Sequence, residues 1–135
     1  MAQVAERLLT IPPEELRVER LCVLEWSDGP VEGYLRIAEP GSCWHFEIVA
    51  AAYRENGPDE RQYALSAAPD DVFDRLGRFL EPPSTGRVWV PTGSGGAAAS
   101  GRALDDLKQA LPGPALVVRS TYLYTVTAVW PFSGR

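Results

Sequence analysis

The sequence predicts an α+β fold of two layers: an antiparallel sheet built on a four-stranded meander (about 20–67), two amphipathic helices on one face, and a β-rich C-terminal tail. Three observations support this fold class. Turn signals divide the middle of the chain into alternating apolar runs, two stripes with helical spacing follow, and alternation returns towards the C-terminus. The 135 residues suit a single domain, 1–135, and the 45% hydrophobic and 23% charged content is typical of a globular chain.

Three short turn motifs define the meander and its register. They are centred on 28–29, 40–41 and 56–57, and each one pairs Gly with Asp, Pro or Asn between two apolar runs. Because side chains alternate between the two faces of a strand, these turns predict which residues share a face. The predicted inward face consists of Cys22, Leu24, Trp26, Val31, Leu35, Ile37, Trp44, Phe46, Ile48, Ala50, Tyr63 and Leu65.

Two apolar stripes with helical spacing follow the meander. The first begins after Asp71 and ends before Pro82, and the second has Ser100 as its N-cap and ends at Gly113. We expect both helices to pack on the sheet face that carries Trp44 and Phe46. A short strand at 87–90 separates them, and the β-rich tail at 115–130 must bend near 119–121, because a straight strand of that length exceeds the size of the domain.

The opposite, outward face of the meander gathers the chemically active side chains. Its candidate binding residues are Tyr34, Arg36, Cys43, His45 and Glu47, and the register predicts Arg36 opposite His45 and Tyr34 opposite Glu47. One interpretation is a cysteine activated by a histidine that a carboxylate orients. The other is a half-exposed strand face with an inert cysteine. Because no oxyanion donor or substrate pocket is identifiable, we assign no catalytic residue.

Cys43, His45 and Glu47 do not predict a metal site, because a flat strand face seldom offers the three or four ligands of a closed zinc site. The outward face also carries apolar side chains, among them Val23 and Val49. A contiguous apolar patch on a surface usually marks a contact. We therefore expect the N-terminal segment, the C-terminal tail or another molecule to cover this face.

A Gly/Ser/Ala-rich loop at 92–101 follows a predicted strand and precedes a helix, which is the context of a phosphate-binding loop. Gly96 and Gly101 have the right spacing, but Arg102 and Ala103 occupy the positions of the phosphate-binding lysine and the metal-binding hydroxyl. A flexible connection explains the composition better. We therefore expect no cofactor.

Charge narrows the classes of partner. A net charge of −5 and a pI near 4.9 disfavour nucleic acid and anionic membranes, because both need clustered Lys and Arg. The first residues lack the basic start and apolar run of a signal peptide, so we expect a cytoplasmic protein. The sequence thus favours a small non-catalytic module, such as an inhibitor or immunity-type partner, that binds a protein or itself through the outward sheet face. The alternative is a small enzyme or small-molecule binder that uses the five candidate residues.

Overall fold

A computed structural model describes residues 15–38, 41–52, 55, 60–80, 88–89, 97–123 and 125–131. Over these residues the chain forms, in order, β1 (Glu15–Trp26), β2 (Pro30–Ile37), β3 (Ser42–Ala52), β4 (Glu60–Ala67), α1 (Val72–Phe79), β5 (Val88–Trp89), α2 (Ala97–Gln109), β6 (Pro114–Ser120) and β7 (Thr125–Pro131). The fold class is α+β, and the antiparallel meander β1–β4 predicted from the turn signals is confirmed.

The antiparallel strands close on themselves. β6 pairs with β4 and β7, and β7 returns to pair with the first residues of β1, Glu15 opposite Thr127 and Arg17 opposite Thr125. Each of β1, β2, β3, β4, β6 and β7 therefore has two neighbours, and together they form a ring, while β5 adds to β1 in parallel. The expected two-layer arrangement, with helices on the apolar face of the sheet, is thus replaced by a sheet whose apolar face is the inside of the ring. The twist of antiparallel strands makes such closure possible.

The inside of the ring is filled by side chains of the strands and of the turn after β6. Trp44, Phe46 and Tyr63 are its largest members, and the rings of Phe46 and Tyr63 meet edge to face with centroids 5.6 Å apart. The inner cluster consists of Val18, Leu21, Val23, Leu35, Ile37, Trp44, Phe46, Tyr63, Leu65, Ala67, Leu116, Val118 and Leu123. No residue of either helix belongs to it among those that the structure describes.

The predicted facing of β1 is wrong. Leu21 and Val23 point into the ring, whereas Cys22 belongs to a second cluster outside it and Trp26 is 48% exposed. The reason is the first turn, which spans three residues, 27–29, so that Trp26 pairs with Pro30. A three-residue loop in place of a two-residue one shifts the pairing by one residue, and this exchanges the two faces.

The registers of β2–β3 and β3–β4 also differ from the prediction, but without exchanging faces. Leu35 lies opposite Trp44 and Ile48 opposite Tyr63, whereas the turns centred on 40–41 and 56–57 would place Leu35 opposite Phe46 and Ile48 opposite Leu65. A displacement by an even number of residues keeps the same side chains inward. The predicted inward positions in the central parts of β2, β3 and β4 are therefore found in the inner cluster.

Both helices contribute to the second cluster, on the outside of the ring. We call it the outer cluster; it contains Cys22, Tyr34, Cys43, Val72, Phe73, Leu76 and Leu107. The expected packing on the Trp44/Phe46 face is therefore wrong, because strand side chains already fill that face. Helix α1 starts at Val72 as its sequence signals indicate, whereas α2 starts at Ala97 inside the predicted flexible loop. A run of three alanines, the best helix formers, accounts for this earlier start.

The C-terminal region forms two strands with a turn at 121–123 between them, close to the expected bend. At this turn Leu123 has a φ of 65°, its N–H donates to Ser120 Oγ at 2.8 Å, and its side chain is fully buried in the inner cluster. Over the described residues, no helix is long and apolar enough to cross a membrane.

Candidate functional site

The candidate residues Tyr34, Cys43 and His45 lie together on the outward faces of β2 and β3. His45 is directly opposite Tyr34, and Cys43 is opposite Arg36, which corrects the expected pairs Arg36–His45 and Tyr34–Glu47. The rings of Tyr34 and His45 meet edge to face with centroids 5.1 Å apart. Tyr34, Cys43 and His45 are only 1%, 2% and 3% exposed, and residues of α1 and α2 cluster with Tyr34 and Cys43. The helices, which we did not expect in this role, thus cover this part of the outward face.

Cys43 is held between an arginine and a backbone carbonyl. Arg36 Nη1 donates to Cys43 Sγ at 3.5 Å, and the thiol donates to the carbonyl oxygen of Asp70 at 3.7 Å. The same guanidinium donates from Nε to Glu19 Oε1 at 3.0 Å. Burial raises the pKa of Cys43, and the nearby Arg36 charge opposes this only in part. Cys43 is therefore a buried, protonated thiol at neutral pH.

His45 and Glu47 belong to a separate charged cluster with two residues that the sequence analysis did not single out, Glu32 and Lys108. Glu32 Oε2 lies 2.8 Å from His45 Nε2 and 3.1 Å from Lys108 Nζ, and Lys108 Nζ lies 4.0 Å from Glu47 Oε2. The hydrogen bond with His45 is the main reason that the pKa of Glu32 is lowered, and Lys108 adds to this effect against the opposing effect of burial. Lys108 thereby ties α2 to the strands.

This geometry separates the two groups that a thiol mechanism would need. Cys43 bonds to Arg36 and Asp70, whereas His45 bonds to Glu32, and no described hydrogen bond joins the thiol to the imidazole. A thiol nucleophile requires a lowered pKa and access to substrate, and Cys43 has a raised pKa and almost no exposure. Within the described ranges, no group of three His, Cys, Asp or Glu side chains is arranged to hold a metal ion.

A second feature of the same sheet was not anticipated. The β2–β3 pairing ends at Glu32 opposite Glu47, but β3 continues for five residues, to Ala52, paired with β4 alone. We call the last four of these residues, Val49–Ala52, the edge segment. All four are exposed, and Val49 is 54% exposed. The segment is thus a short apolar strand with one edge to which the structure assigns no partner among the described residues.

Pro30 explains why β2 does not continue beside the edge segment. Extending the β2–β3 register would place Pro30 opposite Val49, but proline has no N–H to donate. The carbonyl oxygen of Pro30 accepts instead from Arg61 Nη1 at 2.9 Å and from the Tyr63 hydroxyl at 2.6 Å. A bulge between Ile48 and Ala50 adds to this separation, because bulges increase local twist.

Arg61 fixes the first turn at this end of the ring. Its Nη2 donates to the carbonyl oxygens of Ser27 and Asp28 at 2.6 and 3.1 Å, in addition to the bond with Pro30. The turn needs glycine at position 29, because φ there is 136° and an added Cβ would lie 3.0 Å from the Arg61 guanidinium. Beside this turn the exposed rings of Trp26 and Tyr122 lie parallel with centroids 6.5 Å apart. The hydrogen bonds from Arg61 hold the first turn in a fixed conformation next to the edge segment.

The sequence contained one signal for the edge segment: the four residues have no polar side chain and so break the alternation of β3. Half-buried strands normally alternate, and an uninterrupted small apolar run suggests either full burial or a contact. Comparisons with protein-family models, with curated proteins and with solved structures give no match to this chain.

Proposed function

We propose that this protein is a small non-catalytic protein-binding module, and that it contacts its partner through the part of the outward sheet face that the helices leave uncovered. Within that part, the edge segment makes the contact. The observation that carries the proposal is the exposure of four consecutive apolar residues in a stretch of β3 that the described residues pair along one side only. Exposed strand edges are templates for pairing with another chain, and proteins usually protect them with charges, prolines or short length.

The buried state of Tyr34, Cys43 and His45 favours this proposal over the alternative of an enzyme or small-molecule site at the five candidate residues. A ligand would have to displace α1 or α2 to reach side chains that are at most 3% exposed. Their hydrogen bonds and their ring contact account for them as structural groups. The edge segment needs no such rearrangement, and interface backbones in most preformed complexes move little.

Site-specific photo-crosslinking tests the proposal. A photoreactive phenylalanine analogue replaces Val49 in one variant and Arg78, an exposed residue of α1, in a matched control. In extracts of the cells that produce the protein, we expect a defined adduct from position 49, suppressed by excess wild-type protein and not by V49D. Because Val49 is exposed, V49D should keep the fold, which circular dichroism checks. Equal adducts from both positions, or none from position 49, would refute the proposal.

A further inference from the structure

The edge segment and its surroundings also indicate the chemistry of the partner. We propose that its occupant is an extended, basic segment of another protein, which adds to β3 as a new strand and places an arginine or lysine beside Glu47. This inference rests on the proposed function and specifies its mode. Strand addition at an open edge derives its affinity from main-chain hydrogen bonds and its specificity from side chains at alternate positions.

The backbone of the edge segment indicates that the partner segment binds in an extended conformation. Within the edge segment, Ala50–Ala52 pair with β4 and Val49 lies at the bulge, so the N–H and C=O groups of the three alanines that point away from β4 are aligned for a further strand. The side chains are small and carry no charge, and they leave room for an incoming strand at the usual spacing of about 4.8 Å. A helix or a globular surface would leave these backbone groups without hydrogen-bond partners in the interface, which costs free energy.

The charged residues at the start of the edge segment indicate that the partner segment is basic. Glu47 is the last residue of β3 in the β2–β3 ladder, and its side chain is 54% exposed. Its described cation, Lys108, lies 4.0 Å away and is closer to Glu32, at 3.1 Å. One lysine thus faces two carboxylates, and Glu47 keeps an open side for a cation of the partner. A charge-assisted pair at this point would also set the register of the added strand.

A second copy of this chain is the competing occupant, and charge argues against it. Each copy carries a net charge of −5, so two copies repel each other as they approach, whereas a basic segment is attracted. The paired length is also short. Pairing of the edge segments alone falls well below the roughly 1,000 Å² expected of a stable interface between two folded proteins. A peptide segment needs no such area, because other parts of the partner remain free to make further contacts.

Peptide titrations followed by NMR test the inference with the full-length chain. The probe is a synthetic peptide of about ten residues that alternates valine and threonine and has arginine at both ends, a length that matches common strands. Two further peptides serve as controls: one has glutamate at both ends, and the other keeps arginine but is N-methylated at every second residue. We expect shifts at the amides of Val49–Ala52, and affinity for the basic peptide at least about tenfold above that for either control.

Matched variants locate the two parts of the interaction. E47Q should weaken binding of the basic peptide several-fold, whereas E25Q, at another exposed glutamate, should leave it unchanged. Consecutive residues of a strand direct their N–H groups to opposite sides, so only one of A50P and A51P removes a donor from the free edge. That variant should keep the wild-type melting temperature and lose peptide binding, and the other should melt lower because it breaks the pairing with β4.

The results distinguish the proposed function, strand addition by a basic segment and self-association. Equal affinity for the arginine and glutamate peptides, or undiminished binding of the N-methylated peptide, overturns the inference. Absence of peptide binding, when position 49 still forms its adduct in extracts, overturns strand addition and leaves the proposed function standing. Absence of both overturns both. A dimer detected by analytical ultracentrifugation and abolished by the free-edge proline variant assigns the edge to a second copy and also overturns the inference.

Discussion

Replacing Gly33 by alanine tests the closest approach between two strands of the ring. A Cβ built on Gly33 would lie 2.0 Å from the carbonyl oxygen of Cys22 and 3.0 Å from Cε2 of Phe46. The oxygen belongs to the backbone of β1 and cannot rotate away, so β1 and β2 would have to separate by more than about 1 Å to restore van der Waals contact. Glycine in a strand often marks such an approach of another backbone.

The expected loss of stability follows from this separation. Overpacking of a filled core costs about 1–3 kcal/mol, and weakening of one or two neighbouring β1–β2 hydrogen bonds adds about 1–2 kcal/mol. We expect G33A to lower the free energy of unfolding by about 2–5 kcal/mol. A chain of 135 residues has an unfolding entropy of about 0.28 kcal/mol/K, so 3 kcal/mol corresponds to about 10 °C in melting temperature.

Urea denaturation of G33A and G77A measures the effect against a matched control. Gly77 lies in α1, and an added Cβ there meets no atom within 4 Å. The same chemical change should therefore stabilise the protein at position 77 by about 0.5–1 kcal/mol, because alanine favours the helix. If G33A lost less than about 1 kcal/mol, or gained stability like G77A, the β1–β2 register described above would be refuted.

Three further predictions concern buried polar groups. E32Q should lower the free energy of unfolding by about 1–3 kcal/mol at pH 7. The lowered pKa of Glu32 adds stability that is present above its unfolded pKa near 4.5 and is lost as the pH falls through its folded pKa. E32Q should therefore reduce the loss of stability at acid pH. Cys43 should react with iodoacetamide at pH 8 more slowly than a free thiol, because burial raises its pKa and shields it. R61M should cost about 2–4 kcal/mol, because the carbonyl oxygens of Ser27, Asp28 and Pro30 each lose the hydrogen bond from Arg61, although that of Pro30 keeps the Tyr63 hydroxyl.

Each of these predictions has a control on the same chain. E47Q and R119M remove exposed members of ion pairs and should cost less than about 1 kcal/mol each. Cys22 is fully buried and its pKa is raised to about 12, so it should label no faster than Cys43. An equal loss of stability in E32Q and E47Q would contradict the charged cluster. Rapid labelling of Cys43 at or below pH 7 would restore the thiol mechanism. An unchanged free energy of unfolding in R61M would show that the first turn does not depend on the hydrogen bonds from Arg61.

Local turn chemistry predicted the meander but not the loop length of its first hairpin. Asp28-Gly29 is compatible with a two-residue loop and with the end of a three-residue loop, since both use residues with positive φ. The structure adopts the longer loop, and the facing of β1 changes with it. The registers of β2–β3 and β3–β4 also differ from the prediction, but by an even number of residues, so Trp44, Phe46 and Leu65 were correctly expected to face the core.

Long-range pairing is what the sequence could not supply. The return of β7 to Glu15 closes the ring and leaves the helices no apolar face except the outside. No local pattern connects positions so far apart, because hydrophobic periodicity reports the faces of an element and not its neighbour. The same limit applies to the site. The alternation of β2 and β3 predicts that the candidate residues and Glu32 share one face, but it does not predict Lys108, which comes from α2 and joins Glu32 and Glu47.

The last pair of the β2–β3 ladder connects the charged cluster to the edge segment. Glu32 and Glu47 lie directly opposite each other, an arrangement of like charges that destabilises a sheet unless a cation offsets it. Lys108 from α2 is this cation, and it pairs with Glu32 at 3.1 Å and more distantly with Glu47 at 4.0 Å. K108Q should therefore lower stability and yet strengthen binding of the arginine peptide, because Glu47 then faces the partner without a competing cation.

Measuring both quantities on K108Q separates two roles of this lysine. Thermal unfolding should show a decrease, and the NMR titration should show an affinity that is about two- to threefold higher at low salt, with the difference reduced at high salt by screening. K108R keeps the charge and serves as the control, with both quantities near wild type. Weaker peptide binding by K108Q would mean that α2 must be held against the strands for the edge to be presented, and that Glu47 does not pair with the incoming cation.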